Sequence, residues 1–233
     1  MERRDELWQG GPCIYYDTDL FPPGTDSFAL AYFARVPRGS RVCDLGSGTG
    51  LLGTLLLARE GTLTVENVEL SAPAMALARK AFSENGWAER AVFHPGDLRE
   101  SGTLPSVGSI DYAIANPPYF PAGSGASARN EARKTAREES ACTLEDVCAA
   151  AKRILRWGGR FALVHRAGRL ADVLCAMRAC GIEPKRLRFL EKAPGAAPSL
   201  LFVEGTRGGR SGLTIEPPLI PGSDEWERVY FRR

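Results

Sequence analysis

The stretch Asn116-Pro117-Pro118-Tyr119 follows an apolar run, Ile110 to Ala115, that reads as a buried strand. Consecutive prolines remove backbone donors and fix φ, so the carbonyls there are held rigidly beside an amide side chain and an aromatic ring. That assembly can grip a flat, amine-bearing group at the C-terminal edge of a sheet; a proline turn that merely ends a strand is the plainer reading. Upstream, Arg41-Val42-Cys43-Asp44-Leu45 runs into Gly46-Ser47-Gly48-Thr49-Gly50 and then an apolar segment from Leu51 to Ala58. Strand, glycine turn and helix in that order let backbone N–H groups approach a ligand closely. A nicotinamide fingerprint wants Gly-x-Gly-x-x-Gly or Ala. Here the third glycine comes one residue early, and Leu51 occupies the slot that needs a small residue. An acid at the strand end, Asp44, suits a ligand carrying an ammonium group.

The elements that must position these residues alternate along the chain. Thr25 or Asp26 can cap a helix through about Arg35, before Pro37 and Gly39 break it. The pattern then predicts a strand over 41–45, a helix over 50–60, a strand over 63–69 and a helix capped by Ser71 that Asn85-Gly86 stops. A third strand covers 91–94, followed by Pro95-Gly96-Asp97, and the fourth leads into Asn116. Residues 121–140 form a long polar excursion. Thr143-Leu144-Glu145-Asp146 resembles a capping box opening a helix to about Trp157. Gly158-Gly159 turns into a strand over 160–165, a helix covers 170–180, and 186–191 with 200–204 make a terminal strand pair. Such alternation argues for an α/β fold, a parallel sheet covered by helices on both faces, with ligands at the carboxyl ends of the strands.

A chain of 233 residues, 44% hydrophobic, can bury one sizeable core. One domain is expected, with 1–40 as an extension and helix, 41–165 as the core and 166–233 as a basic C-terminal part of the sheet. No apolar run reaches transmembrane length, and Met1 to Glu6 lacks the apolar centre of a signal peptide. Six cysteines without a Cys-x-x-Cys pair, and only His94 and His165, make a zinc site improbable and point to reduced thiols in the cytoplasm. Trp8, Trp87, Trp157 and Trp226 share no spacing and read as core anchors. The net charge is only +2, but residues 152–192 hold eleven cations against three acids. That concentration suggests a face for a polyanion, against the alternative of solvated helix faces.

Together, Asp44 to Gly50 and Asn116 to Tyr119 resemble the S-adenosylmethionine-dependent methyltransferases. The resemblance implies a Rossmann-like class I fold, a seven-stranded, mostly parallel sheet with an antiparallel terminal strand. It implies that Asp44 faces the methionine ammonium, that Gly46, Gly48 and Gly50 admit the methionine end, and that Glu69 accepts the ribose hydroxyls. Asp97 would accept from the adenine amine, with Leu98 on the adenine face; Thr25, Ser47, Leu70 and Asn116 complete the expected cofactor set. For Asp97 a plain turn, and for Glu69 a charged approach to the Ser71 cap, are the alternatives. Enzymes of this type act on planar amines: adenine N6, guanine N2 or a glutamine amide. The expected catalytic group is Asn116, Pro117, Pro118 and Tyr119, with Tyr119 stacking on the base.

One branch is resembled over most of the chain, the bacterial tRNA (adenine-N6)-methyltransferases that act on valine tRNA beside the anticodon. Gly24-Thr25-Asp26-Ser27, Thr143 to Val147, His165 to Leu170, Gly181 to Arg186, Val203 to Gly209 and Pro217 to Ile220 carry it. At the end of the strand over 160–165, His165 and Arg166 could contact RNA phosphate, as could Arg169, Arg137 and, in the basic stretch, Lys185 and Arg186; bonding to nearby backbone carbonyls is the plainer reading. No metal is required, and the target base should be looped or flipped. Two departures stand out. Glu138 replaces a histidine common in the branch, and 121–135 is idiosyncratic. The competing functions are a guanine-N2 ribosomal RNA enzyme, a protein-glutamine enzyme, a DNA adenine enzyme, a nicotinamide oxidoreductase and a non-catalytic RNA-binding protein.

Overall fold

In the computed structural model, which describes residues 1–18, 23–118 and 142–230, the chain opens with β1 (Glu2–Glu6), β2 (Cys13–Asp17) and α1 (Thr25–Phe33). It continues through β3 (Arg41–Leu45), α2 (Leu51–Arg59), β4 (Thr64–Glu69), α3 (Ala72–Glu84), β5 (Ala91–Pro95) and β6 (Ile110–Ala115). Then follow α4 (Leu144–Ile154), β7 (Leu155–Arg166), α5 (Leu170–Ala179), β8 (Ile182–Leu190), β9 (Leu200–Arg207), β10 (Thr214–Ile215) and α6 (Asp224–Val229).

The main sheet has the order β10-β8-β9-β7-β6-β3-β4-β5. Its neighbours pair in parallel except at β9, which runs antiparallel to both β7 and β8. The expected fold therefore holds, with eight strands rather than seven because the two-residue β10 extends one edge. Side-chain alternation fills a core on each face. Val42, Tyr112, Ile114 and Ala162 pack with α1 and α2, while Leu45, Ala113, Phe161 and Leu163 pack with α4 and α5.

Sequence-based boundaries needed correction in four places. Residues 2–6 and 13–17 form a separate antiparallel hairpin whose first strand is exposed throughout and has no hydrophobic signature. Gly24, not Thr25 or Asp26, is the N-cap of α1. The helix α4 stops at Ile154, and the expected Gly158-Gly159 turn lies inside β7. A Cβ on Gly159 would meet the carbonyl oxygens of Arg156 and Asp111 at 2.9 and 3.2 Å, so glycine here lets β7 run close beside β6. Finally, the C-terminal segment adds α6, which packs on α1 through Phe28 and Tyr230 rings stacked 4.7 Å apart.

The chain leaves β3 to build β4 and β5 on one side, then returns to place β6 on the other. That reversal opens a crevice beyond the carboxyl ends of β3 and β6. Asp44 pairs with Ile114 across it, so Gly46 and Asn116 emerge from adjacent strands about 5 Å apart.

Candidate active site

The glycine turn is tied down from behind. The N–H groups of Gly46 and Ser47 donate to the Val68 carbonyl at 2.9 and 3.0 Å. Gly48 N–H donates to Glu69 Oε2 and Ser71 N–H to Glu69 Oε1, both at 2.7 Å. A carboxylate has about four acceptor positions, so Glu69 braces the turn and retains capacity for two hydroxyls. Gly46 and Gly48 adopt φ of 77° and 54°, and a Cβ on either would point into open space. Gly50 is different: at φ 79° it caps α2, and a Cβ there would meet Phe82 and Ala78 at 2.9 and 3.0 Å. It seats the helix, and no side chain caps the first-turn amides of α2.

Asp44 is fully buried, and among the described residues neither carboxylate oxygen has a hydrogen-bond partner. Burial, reinforced by the nearby Glu69 charge, pushes its carboxyl up to about 8. The Gly53 amide pulls the other way without reaching hydrogen-bonding geometry. The Ser47 hydroxyl is also buried without a partner among the described residues. Such groups are costly unless something pairs with them. An ammonium-bearing ligand held over open glycine backbone is what these donors and acceptors fit.

At the other expected cofactor residues the picture is mixed. Asp97 follows β5, but both its oxygens already face Arg99, with Nε 3.0 Å from Oδ1 and a terminal nitrogen 2.5 Å from Oδ2. The Arg99 hydrogen bonds hold the Asp97 carboxyl below its ordinary range. An adenine amine would share this carboxylate with Arg99, a residue the sequence reading missed. Leu98 is half-buried against the second core, and Leu70 is exposed at the mouth of the crevice. Thr25 Oγ1 accepts from the Tyr230 hydroxyl at 3.1 Å, which links the start of α1 to the C-terminal helix.

Asn116 lies half-buried at the end of β6, followed by buried Pro117 and exposed Pro118. Its side-chain nitrogen donates to Ser27 Oγ at 3.0 Å, which orients the amide oxygen as the acceptor end. Ser27 sits on α1, 89 positions away; its presence in a Gly-Thr-Asp-Ser block was the only available signal. Tyr119 lies outside the described residues.

The expected RNA contacts divide. Arg137 lies outside the described residues. Arg166 and Arg169 are at the catalytic end of the sheet, Arg166 exposed and Arg169 ion-paired with Asp172. Three others have partners within the fold. His165 is only 4% exposed, its Nδ1 accepts from the Arg166 amide, and burial followed by the Arg169 charge pushes it toward the neutral form. Arg186 is drawn into the fold by Glu216 at 2.8 Å, Glu204 at 3.1 Å and the Phe33 ring. Lys185 donates to the carbonyls of Arg210 and Gly212. Cation count alone could not distinguish such internal partners from a surface for RNA.

A doubly wound sheet whose switch point joins an open glycine cradle, an orphaned acid and an Asn-Pro-Pro corner defines the S-adenosylmethionine-dependent methyltransferase class. Residues 23–174 match the methyltransferase small domain, and the chain belongs to that family. The chain is similar to a tRNA1(Val) (adenine(37)-N6)-methyltransferase of Aeromonas hydrophila, 33% identical over 70% of this chain and 66% of the relative. A Porphyromonas gingivalis protein of the same name is 29% identical over 90% of this chain and 85% of its own length. The chain thus spans about two thirds of the Aeromonas relative and more of the second. Among solved structures, a predicted O-methyltransferase of Agrobacterium tumefaciens shares the fold with a TM-score of 0.68 at 22% identity, over 89% of this chain and 98% of its own. Among the described residues no helix is long and apolar enough to cross a membrane, and no group of three His, Cys, Asp or Glu is placed to hold a metal.

Proposed function

We propose that the protein methylates the exocyclic N6 amine of an adenosine in the anticodon loop of a tRNA, with valine tRNA as substrate and S-adenosylmethionine as donor. The observation that carries this reading is the Asn116 amide, anchored by Ser27 and set one strand from the Asp44 cradle. The names of the tRNA1(Val) relatives support the choice of acceptor. Asp44 would hold the donor's ammonium, Glu69 its ribose, and Asp97 with Leu98 its adenine. Bound there, S-adenosylmethionine supplies an electrophilic methyl group on a sulfonium.

The acceptor side is the work of this chain's own groups. An adenine amine is a poor nucleophile because its lone pair is delocalised into the ring. The Asn116 side-chain oxygen and the Pro117 carbonyl each accept one amine hydrogen, which steers the lone pair out of the ring plane. As positive charge develops on nitrogen, these fixed carbonyl dipoles stabilise it without reorganising. Tyr119 stacks on the base, worth about 1–3 kcal/mol in comparable sites. Arg166 and Arg169 bring phosphate to this edge.

Purified protein incubated with labelled S-adenosylmethionine and bulk tRNA tests the reading by nucleoside mass spectrometry. N6-methyladenosine is the expected product. N2-methylguanosine, or label found only in protein, would overturn it.

A further inference from the structure

At the opposite edge of the sheet, beside the amino-terminal ends of β7 and β8 and the carboxyl end of antiparallel β9, lies a concavity of about 260 Å³, lined by Lys152, Trp157, Arg178, Cys180, Glu183 and Arg207 among others. Three cations there face one carboxylate. Arg178 is ion-paired with Glu183, and Arg207 donates to the Leu155 carbonyl. Lys152 has no ion-pair or hydrogen-bond partner among the described residues. Trp157, expected in the core, is 75% exposed. Its ring lies against Gly208, where any Cβ would collide with it. An aromatic face held on glycine and ringed by cations is the chemistry that takes a phosphodiester with an adjoining base.

We propose that this concavity is a second tRNA contact, binding backbone phosphate and stacking a base outside the anticodon stem-loop. It rests on the tRNA reading above. β7 connects the two sites: its 12 residues run from Leu155 beside the concavity to Arg166 at the catalytic edge, roughly 35 Å at strand rise. Either arm of a folded tRNA is longer than that. The helix α5 carries a cation at each end, Arg169 just before it and Arg178 in its last turn, ion-paired with Asp172 and Glu183. The helix C-terminal dipole explains a cation at one such position; it does not explain an exposed tryptophan beside three cations.

Direct binding separates this site from catalysis. Labelled full-length valine tRNA and its isolated anticodon stem-loop are titrated by fluorescence anisotropy against wild-type protein, the Lys152→Glu/Arg178→Glu double variant and Trp157→Ala. Circular dichroism and calorimetric binding of S-adenosylmethionine confirm that each variant is folded. Wild type is expected to hold full-length tRNA at least about tenfold tighter than the stem-loop. The double variant loses that difference, with a salt slope lower by about 1 per lost phosphate contact, and stem-loop affinity stays unchanged. Trp157→Ala loses severalfold on full-length tRNA alone. Equal affinity of wild type for the two RNAs, or unaltered full-length binding by the variants, would overturn the proposal. If tRNA binds in this pattern yet gains no N6-methyladenosine, the methylation reading fails and this contact stands.

Discussion

Two carboxylates buried in the same sheet have opposite surroundings. Glu204, in β9, accepts from the Tyr112 hydroxyl at 2.6 Å and the Arg35 amide at 3.3 Å, and Arg186 lies 3.1 Å away. Asp44, in β3, has no hydrogen-bond partner among the described residues. The saturated acid ties β6, β8, β9 and the end of α1 together. The orphaned one adjoins open glycine backbone at the switch point. Buried polar groups in folded proteins are satisfied as a rule; Thr54, Asn67 and Ser109 also leave a neutral oxygen unpaired, but Asp44 has both carboxylate oxygens orphaned at the switch point, where a ligand ammonium would complete the structure.

Removing the saturated acid should have the largest effect. Glu204→Ala leaves Arg186 and the Tyr112 hydroxyl underpaired and is expected to lose about 3 kcal/mol or more of stability in urea unfolding. A loss under 1 kcal/mol would erase the contrast. Asn116→Ala is expected to leave stability and donor affinity within about twofold, while methyl transfer falls by roughly 10²–10³, the scale of one lost electrostatic group in an active site. Near-wild-type turnover would remove Asn116 from the chemistry. For Asp44→Asn the expectation reverses that for Glu204. The ligand-free protein is at least as stable as wild type, and calorimetric affinity for S-adenosylmethionine drops at least about tenfold.

A pH series sharpens the same comparison. Folding raises the Asp44 carboxyl to about 8, above roughly 3.9 in the unfolded chain. The folded state therefore holds an extra proton between those values. Its stabilising contribution is fully present below the unfolded value and is lost as pH rises through about 8. Ligand-free wild type should lose Tm from pH 6 to 9 relative to Asp44→Asn; parallel curves would show that the acid is already paired. The smallest effect belongs to Ser27. Ser27→Ala is expected to reduce kcat about fivefold, as one neutral hydrogen bond allows, with KM for the donor unchanged and recovery in Ser27→Thr. A KM effect without a kcat effect would reassign Ser27 to binding.

What could be foreseen follows from distance along the chain. The glycine turn, the Ser71 cap and the Thr143–Asp146 box are local, so residue types a few positions apart specify them; Asp146 N–H donates to Thr143 Oγ1 at 3.2 Å as the box requires. The hairpin at the N-terminus has a charged first strand and is held across the fold, with Arg4 and Lys80 paired to Glu84 and Glu2. The Ser27–Asn116 bond and the Glu204 network join remote segments of the chain, and no periodicity announces them. Composition put Trp157 in a core, and it is exposed; composition also gave no sign of Glu204, Glu216 and Phe33, which draw Arg186 into the fold.

Calorimetric titration of S-adenosylmethionine into wild type and Asp44→Asn, with Tm measured on both ligand-free proteins, tests the central claim most directly. Wild type should bind one equivalent, and the variant should bind at least about tenfold more weakly without losing Tm. Equal affinity, or a variant destabilised before any ligand is added, would contradict the account.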